Sequence, residues 1–301
     1  MKVTANGIAL EVEDSGADGS QQDWPVVLLV MGLGMQLIAW PPGFVRALVS
    51  AGFRVVRMDN RDIGLSQDFD HLGTPNLMWQ TLKRRLGMRV HAPYSLKDMA
   101  QDAIGVLDAL GIAQAHVIGA SMGGMIAQRM ALAAPHRVLS LTSIMSSSGA
   151  RDLPGPRSDV LRALLTRPRD RSETATVESA VRFFKLIGSP AYPLDDRILG
   201  DAVRASMQRS FHPAGSLRQM LAVVADLSRA EELARIRLPT LVVHGRDDPL
   251  VPYACGVDTA RRIAGARLVG VAGMGHDLAP GVIEHILAPL LPHLDSARTA
   301  A

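Results

Sequence analysis

The sequence predicts an α/β fold in which a mostly parallel central sheet carries helices on both faces and is interrupted by a helical cap insertion. Three observations lead there. Short β-branched runs alternate with longer helical patterns, several of those runs are apolar at nearly every position, and one long stretch lacks such runs altogether. A strand that is apolar throughout is buried on both faces, as parallel strands are when helices cover both sides of the sheet. At 301 residues the chain can bury one core of this type with an insertion.

The strand candidates are residues 26–30, 53–58, 116–118, 138–144, 240–244 and 267–271. Helical patterns at 42–50, 96–110, 124–134, 254–264 and 282–291 lie between or after them. The rhythm breaks from 146 to 237, where Arg- and Pro-rich turns lead into helical segments at 178–187, 196–208 and 216–225. This divides the chain into a first core part (1–145), a cap insertion (146–237) and a second core part (238–301). In open α/β sheets the space outside the carboxyl ends of the strands binds ligands, so a cap belongs there.

Composition narrows the partners. Apolar residues are 48% and charged residues 20%, with a formal charge of +3, which is ordinary for a globular protein. The sequence pI is near 9.3, but the basic residues are scattered and no aromatic platform interleaves them, so no nucleic-acid partner is expected. The densest basic run, Lys83-Arg84-Arg85 with Arg89, reads as a solvated helix face. The arginines of the insertion (Arg151, Arg157, Arg162, Arg167, Arg169 and Arg171) read as solvated lid surface. The longest apolar stretch, 25–34, is too short to span a bilayer. No secretory segment is evident, which makes a cytoplasmic setting the default expectation. The single cysteine, Cys255, excludes an intrachain disulfide and is expected to pack.

Chemistry concentrates in three places. Gly119-Ala120-Ser121-Met122-Gly123 follows the strand 116–118 and opens the helix 124–134. A strand-to-helix turn that sharp strains its apex residue and lifts the serine hydroxyl clear of the sheet. A serine needs a base. Of nine histidines, His276 in Gly273-Met274-Gly275-His276-Asp277 follows the last strand and precedes the last helix, where a βα loop projects into a site. His116 and His244 sit inside strands and read as buried structural residues. The base needs a carboxylate to hold its tautomer. Asp247 and Asp248 follow the strand 240–244, and Asp248 is favoured because Pro249 restricts it to an extended backbone, with Asp247 expected to cap the turn. Charge developing on an oxygen requires preset N–H donors. The Met122 amide is one, and Leu33, between Gly32 and Gly34, is expected to provide the other.

Met31-Gly32-Leu33-Gly34, Asp59 through Ser66, Gly119 through Gly124, His244 through Pro252 and Gly273 through Asp277 together resemble α/β-hydrolases related to the aclacinomycin and rhodomycin methylesterases. The resemblance implies carboxylic ester hydrolysis through an acyl-enzyme on a small or medium ester under a helical cap, without cofactor or metal. It implies Ser121, Asp248 and His276 as catalytic residues, Leu33 and Met122 as the oxyanion hole, and Asp59-Asn60-Arg61 as a structural bracket. Met31 stands where many relatives have a histidine. Self-association is left open. Three other readings fit the pattern. A carbon–carbon hydrolase of the meta-cleavage type has a similar elbow, although such enzymes carry Trp where Asp277 follows His276. Perhydrolase or cofactor-free haloperoxidase chemistry is the second, and a non-catalytic ligand-binding protein on the same fold is the third.

Overall fold

Val27 and Leu29 face one helical layer, Leu28 and Val30 face the other, and all four are fully buried. That two-sided burial makes β3 (Val26–Val30) a central strand. Each such side chain contributes roughly 1.5–3 kcal/mol, so the strand depends on both layers. The computed structural model describes residues 1–298 apart from 77–78, 81–82, 84–87, 89, 91, 167–169 and 171. The other core strands are β1 (Lys2–Ala5), β2 (Ile8–Asp14), β4 (Arg54–Met58), β5 (Ala115–Ala120), β6 (Val138–Ile144), β7 (Thr240–Gly245) and β8 (Arg267–Val271). They form one sheet in the order β1-β2-β4-β3-β5-β6-β7-β8, parallel from β4 to β8.

The antiparallel hairpin β1–β2 adds to the strands expected from sequence. Its two-residue turn, Asn6-Gly7, has φ of 49° and 76°, a conformation these two residues adopt readily and the usual one for tight hairpins. On one face α2 (Leu96–Ala109) and α3 (Met122–Ala133) cover the sheet through Met99, Leu107, Ile126 and Met130. A capping box between Ser95 and Asp98 starts α2. On the other face α1 (Pro42–Ser50) and the last helix (Pro280–Arg298) contribute Phe44, Leu48, Val282 and Ile286. The last helix runs past its expected end through Pro289 and Pro292.

Between β6 and β7 the described chain contains no strand. It forms α4 (Ser158–Leu165), α5 (Glu173–Ile187), α6 (Asp196–Arg209) and α7 (Pro213–Ala225). The first of these falls where the sequence suggested only turns. Side-chain pairs fasten the insertion to the core. Buried Arg218 of α7 donates to both carboxylate oxygens of Asp62 at 2.6 and 2.7 Å, and also to Asp70 and the Gly73 carbonyl. Arg209 of α6 reaches Asp59 at 2.6 Å. The bracket 59–61 is correspondingly busy: Asp59 accepts from the Leu37 and Leu65 amides, and Arg61 grips Asp102 with two bonds. Arg151, Arg157 and Arg162 are exposed, and Arg157 pairs with Asp159. Lys83 lies over the Trp79 ring. Arg84, Arg85, Arg89, His91, Arg167, Arg169 and Arg171 lie outside the described residues.

Candidate active site

Ser121 occupies the single position between β5 and α3, with φ 55° and ψ −120°. A positive φ is strained for serine and persists only where the surroundings enforce it. The enforcement is visible. The Ser121 N–H donates to the Ile144 carbonyl of β6, and the Ser121 carbonyl accepts from Gly124 N and Ser146 Oγ. The glycines allow the close approach: a Cβ on Gly123 would stand 2.0 Å from the Val30 carbonyl oxygen, and one on Gly119 would stand 2.1 Å from that of Gly123. The turn is therefore pressed against the end of β3.

Loops at the carboxyl ends of β7 and β8 bring the other two groups. His276 Nε2 lies 3.0 Å from Ser121 Oγ, and His276 Nδ1 lies 2.7 Å from Asp248 Oδ2. Asp248 and His276 are both buried while Ser121 is half-exposed. An ionised carboxylate only accepts, so Nδ1 carries the ring proton and Nε2 is left to take one from the hydroxyl. Asp248 Oδ1 also accepts from the Leu250 and Val251 amides, at 2.9 and 2.8 Å.

The expected division of labour between the two acids differs in one respect. Asp248 both faces the imidazole and caps its own turn. Asp247 instead reaches to the neighbouring loop, where the Gly273 N–H donates to it at 2.7 Å. The two oxygens of Asp248 point different ways, one to the 250–251 amides and one to the ring, so a single side chain does both. His244 is buried and donates from Nε2 to the Val251 carbonyl at 2.7 Å. Burial holds its pKa below the usual histidine value, although Val251 and Asp248 oppose that shift. His116 contacts Ser140 Oγ inside the sheet. Both fit the expected structural role.

Above the serine lies a cavity of about 600 Å³ walled mainly by apolar side chains, among them Met31, Met125, Met145, Leu153, Phe184 and Val223. Leu33 and Met122 line it too. No acceptor among the described residues takes the N–H of either. Met122 begins α3, and the first amides of a helix have no partner within it. Cys255 also faces this cavity, a placement its sequence context did not reveal. Burial pushes its thiol up to about 11, so it stays protonated and is no rival nucleophile. The charged lining consists of Asp226, Arg229 and Asp277 beside His276. Arg229 is already paired with Asp226 and donates to Gln128. Among the described residues no cluster could hold a metal ion and no helix is long and apolar enough to cross a membrane.

A strained serine, an imidazole and a carboxylate joined in sequence at the edge of a parallel sheet define a serine hydrolase. The chain belongs to the α/β hydrolase fold family, whose pattern covers residues 25–279. It is 30% identical over 304 residues to rhodomycin D methylesterase DnrP of Streptomyces peucetius, covering 93% of each chain. Its fold is similar to the enol-lactonase of Burkholderia xenovorans (TM-score 0.73, 22% identity, 98% of this chain and 100% of that one). It is also similar to the meta-cleavage product hydrolase CumD of Pseudomonas fluorescens (TM-score 0.71, 20% identity, 99% and 98%).

Proposed function

We propose that the protein hydrolyses a neutral, largely apolar carboxylic ester of small or medium size through an acyl-enzyme on Ser121. The observation that carries this reading is the continuous hydrogen-bond chain from Ser121 through His276 to Asp248, opening into an apolar cavity. Ser121 Oγ attacks the ester carbonyl carbon as its proton passes to His276 Nε2. The carbonyl oxygen takes up the electron pair and is stabilised by the Leu33 and Met122 amides. Collapse breaks the carbon–oxygen bond to the alcohol, which leaves with the proton from His276. Water then repeats the sequence on the acyl-enzyme, delivers a proton to His276 and releases the acid and the free serine. The segment 146–237 acts as the cap that walls the substrate in. The methylesterase likeness supports ester chemistry in particular.

A second reading is hydrolysis of a carbon–carbon bond in a meta-cleavage product. By fold likeness alone this reading stands ahead, since several structural neighbours are meta-cleavage hydrolases, but at such identity the likeness extends only to the fold. The cavity supports the ester. A dienoate carries a carboxylate that needs a cation, and the guanidinium of the lining arginine, Arg229, is already committed to Asp226, Gln128 and the Ser147 carbonyl.

The test sets p-nitrophenyl butyrate and methyl esters of apolar acids beside 2-hydroxy-6-oxo-6-phenylhexa-2,4-dienoate. Ester turnover with no loss of the dienoate chromophore is expected, and Ser121→Ala should lower kcat by at least about a thousandfold. Dienoate cleavage without ester turnover would install the second reading. Ester turnover that survives Ser121→Ala would remove Ser121 from the mechanism.

A further inference from the structure

The two proposed oxyanion donors are held in different ways. The Met122 amide is fixed by the helix it begins. The Leu33 amide lies on a loop outside any helix or strand, and the turn containing it is closed only by a long bond, Met35 N–H to the Gly32 carbonyl at 3.3 Å. That loop is pinned from outside at both ends. At its start, Asn60 Nδ2 donates to the Met31 carbonyl at 2.8 Å. At its far end the Gly34 N–H donates to Gln219 Oε1 at 2.9 Å. Gln219 stands on α7 and is fully buried, and its Nε2 donates to the Arg61 carbonyl at 2.9 Å. Both ends of one amide side chain are thereby spent on joining two backbone loops 27 residues apart at their contact points, Gly34 and Arg61.

From this arrangement we infer that Gln219 is a positioning residue for the oxyanion hole: it holds the Gly34 peptide so that the adjoining Leu33 amide stays in register with Ser121. The inference rests on the acyl-enzyme reading above. Any buried amide must be hydrogen-bonded, but the Gln219 bonds go to two separate backbone loops, one of which carries the Leu33 amide. Gly34 has φ 71°, a region this residue enters and leaves with little resistance, so its peptide requires an external hold. The hold comes from the insertion, which makes α7 part of the catalytic apparatus as well as a wall.

The test compares wild type with Gln219→Met, which keeps the bulk and removes both hydrogen bonds, and with Gln219→Asn, which keeps the amide but is one methylene too short. Three readouts are taken: the second-order rate of Ser121 phosphonylation by a fluorophosphonate, kcat and KM for p-nitrophenyl butyrate, and thermal unfolding. A phosphonate adduct places charge on a phosphoryl oxygen in the same hole. Both variants are expected to lose roughly ten- to a hundredfold in phosphonylation rate and in kcat, somewhat less than outright removal of an oxyanion donor. KM should change by less than about threefold, because the lost interaction is made in the transition state. If Gln219→Met does not fold, Gln219→Asn carries the comparison. Folded variants with rates within about threefold of wild type, or a loss confined to KM, would overturn the inference. Wild-type protein that is phosphonylated on Ser121 but turns over no ester would defeat the ester reading and leave Gln219 to be judged on the phosphonylation rate. Absence of any labelling of wild type would defeat both.

Discussion

The floor of the site and its roof are built by different means. In the floor, Ser121, Asp248 and His276 stand on short loops directly after β5, β7 and β8, and the parallel register of those strands brings the loops to one edge. Backbone geometry does most of the positioning: the strained φ of Ser121, the close-packed glycines around it, and Pro249 after Asp248. The roof is held by side chains whose partners lie far away in the chain. Arg218 meets Asp62, Arg209 meets Asp59, and Gln219 meets Gly34. At its other end Ser189 binds Asp277 through both its N–H and its hydroxyl, and the His276 N–H donates to the Ile187 carbonyl at 2.7 Å. Insertion and catalytic loops therefore hold each other. Damage to the floor should abolish chemistry in a folded protein, whereas damage to the charged fastenings of the roof should be felt first in stability, and only the Gln219 link to the Gly34 loop should register in rate.

Asp248→Asn gives the sharpest break on the floor. The asparagine keeps the Oδ1 contacts to the 250–251 amides but favours the wrong imidazole tautomer, so kcat should fall by about 10⁴ with an unchanged unfolding midpoint. A fall in stability as large as the fall in rate would dissolve the distinction. For the roof, Arg218→Met strips Asp62 of its guanidinium and leaves a buried charge with Tyr94 and one amide as partners. Removing one member of a buried pair costs about 3–5 kcal/mol, measurable by chemical denaturation, and adding Asp62→Asn should recover part of it. The exposed Arg204–Asp201 pair should be worth less than about 1 kcal/mol.

Acidification separates the regions more gently. Burial holds His244 and His293 below the ordinary histidine value, so between the folded and unfolded pKa values the unfolded chain binds more protons. Their contribution is complete above about pH 6.5, the unfolded value, and declines as the pH falls through it. For Asp62, burial acts to raise the pKa, but Arg218, Tyr94 and the Phe69 amide outweigh it and hold the carboxyl below the usual range. Its stabilisation is present above about pH 4 and is lost only as the pH falls toward the folded value. Unfolding midpoints should thus begin to drop near pH 6.5 and steepen below 4, and His293→Phe should shrink the first limb to the His244 share while leaving the second unchanged. A midpoint constant from pH 7 to 5 would contradict this.

What the sequence made legible follows the same division. The Gly-x-Ser-x-Gly turn, the Asp-Pro pair and the Gly-Met-Gly-His loop are local patterns whose geometry the neighbouring residues largely dictate, and their side chains lie within hydrogen-bond distance of one another. The β1–β2 hairpin was legible in principle from Asn6-Gly7 and the alternating 8–14 segment. The helix Ser158–Leu165 was masked by the prolines and arginines before it. Three of the roof's helices were legible from the patterns at 178–187, 196–208 and 216–225, but its fastenings could not be read at all. Nothing near Gln219 indicates that its amide will meet a glycine 185 residues earlier, and Ser189, Arg209 and Arg218 are equally ordinary in their own surroundings. Such partners emerge only from the tertiary fold.

The central claim, that three strand-end loops create one activated nucleophile, is tested most directly by mapping a fluorophosphonate adduct by peptide mass spectrometry. A single adduct on Ser121, formed far more slowly in His276→Ala and in Asp248→Asn, is the result this geometry predicts. An adduct on another residue, or a rate at Ser121 indifferent to loss of the imidazole, would contradict it.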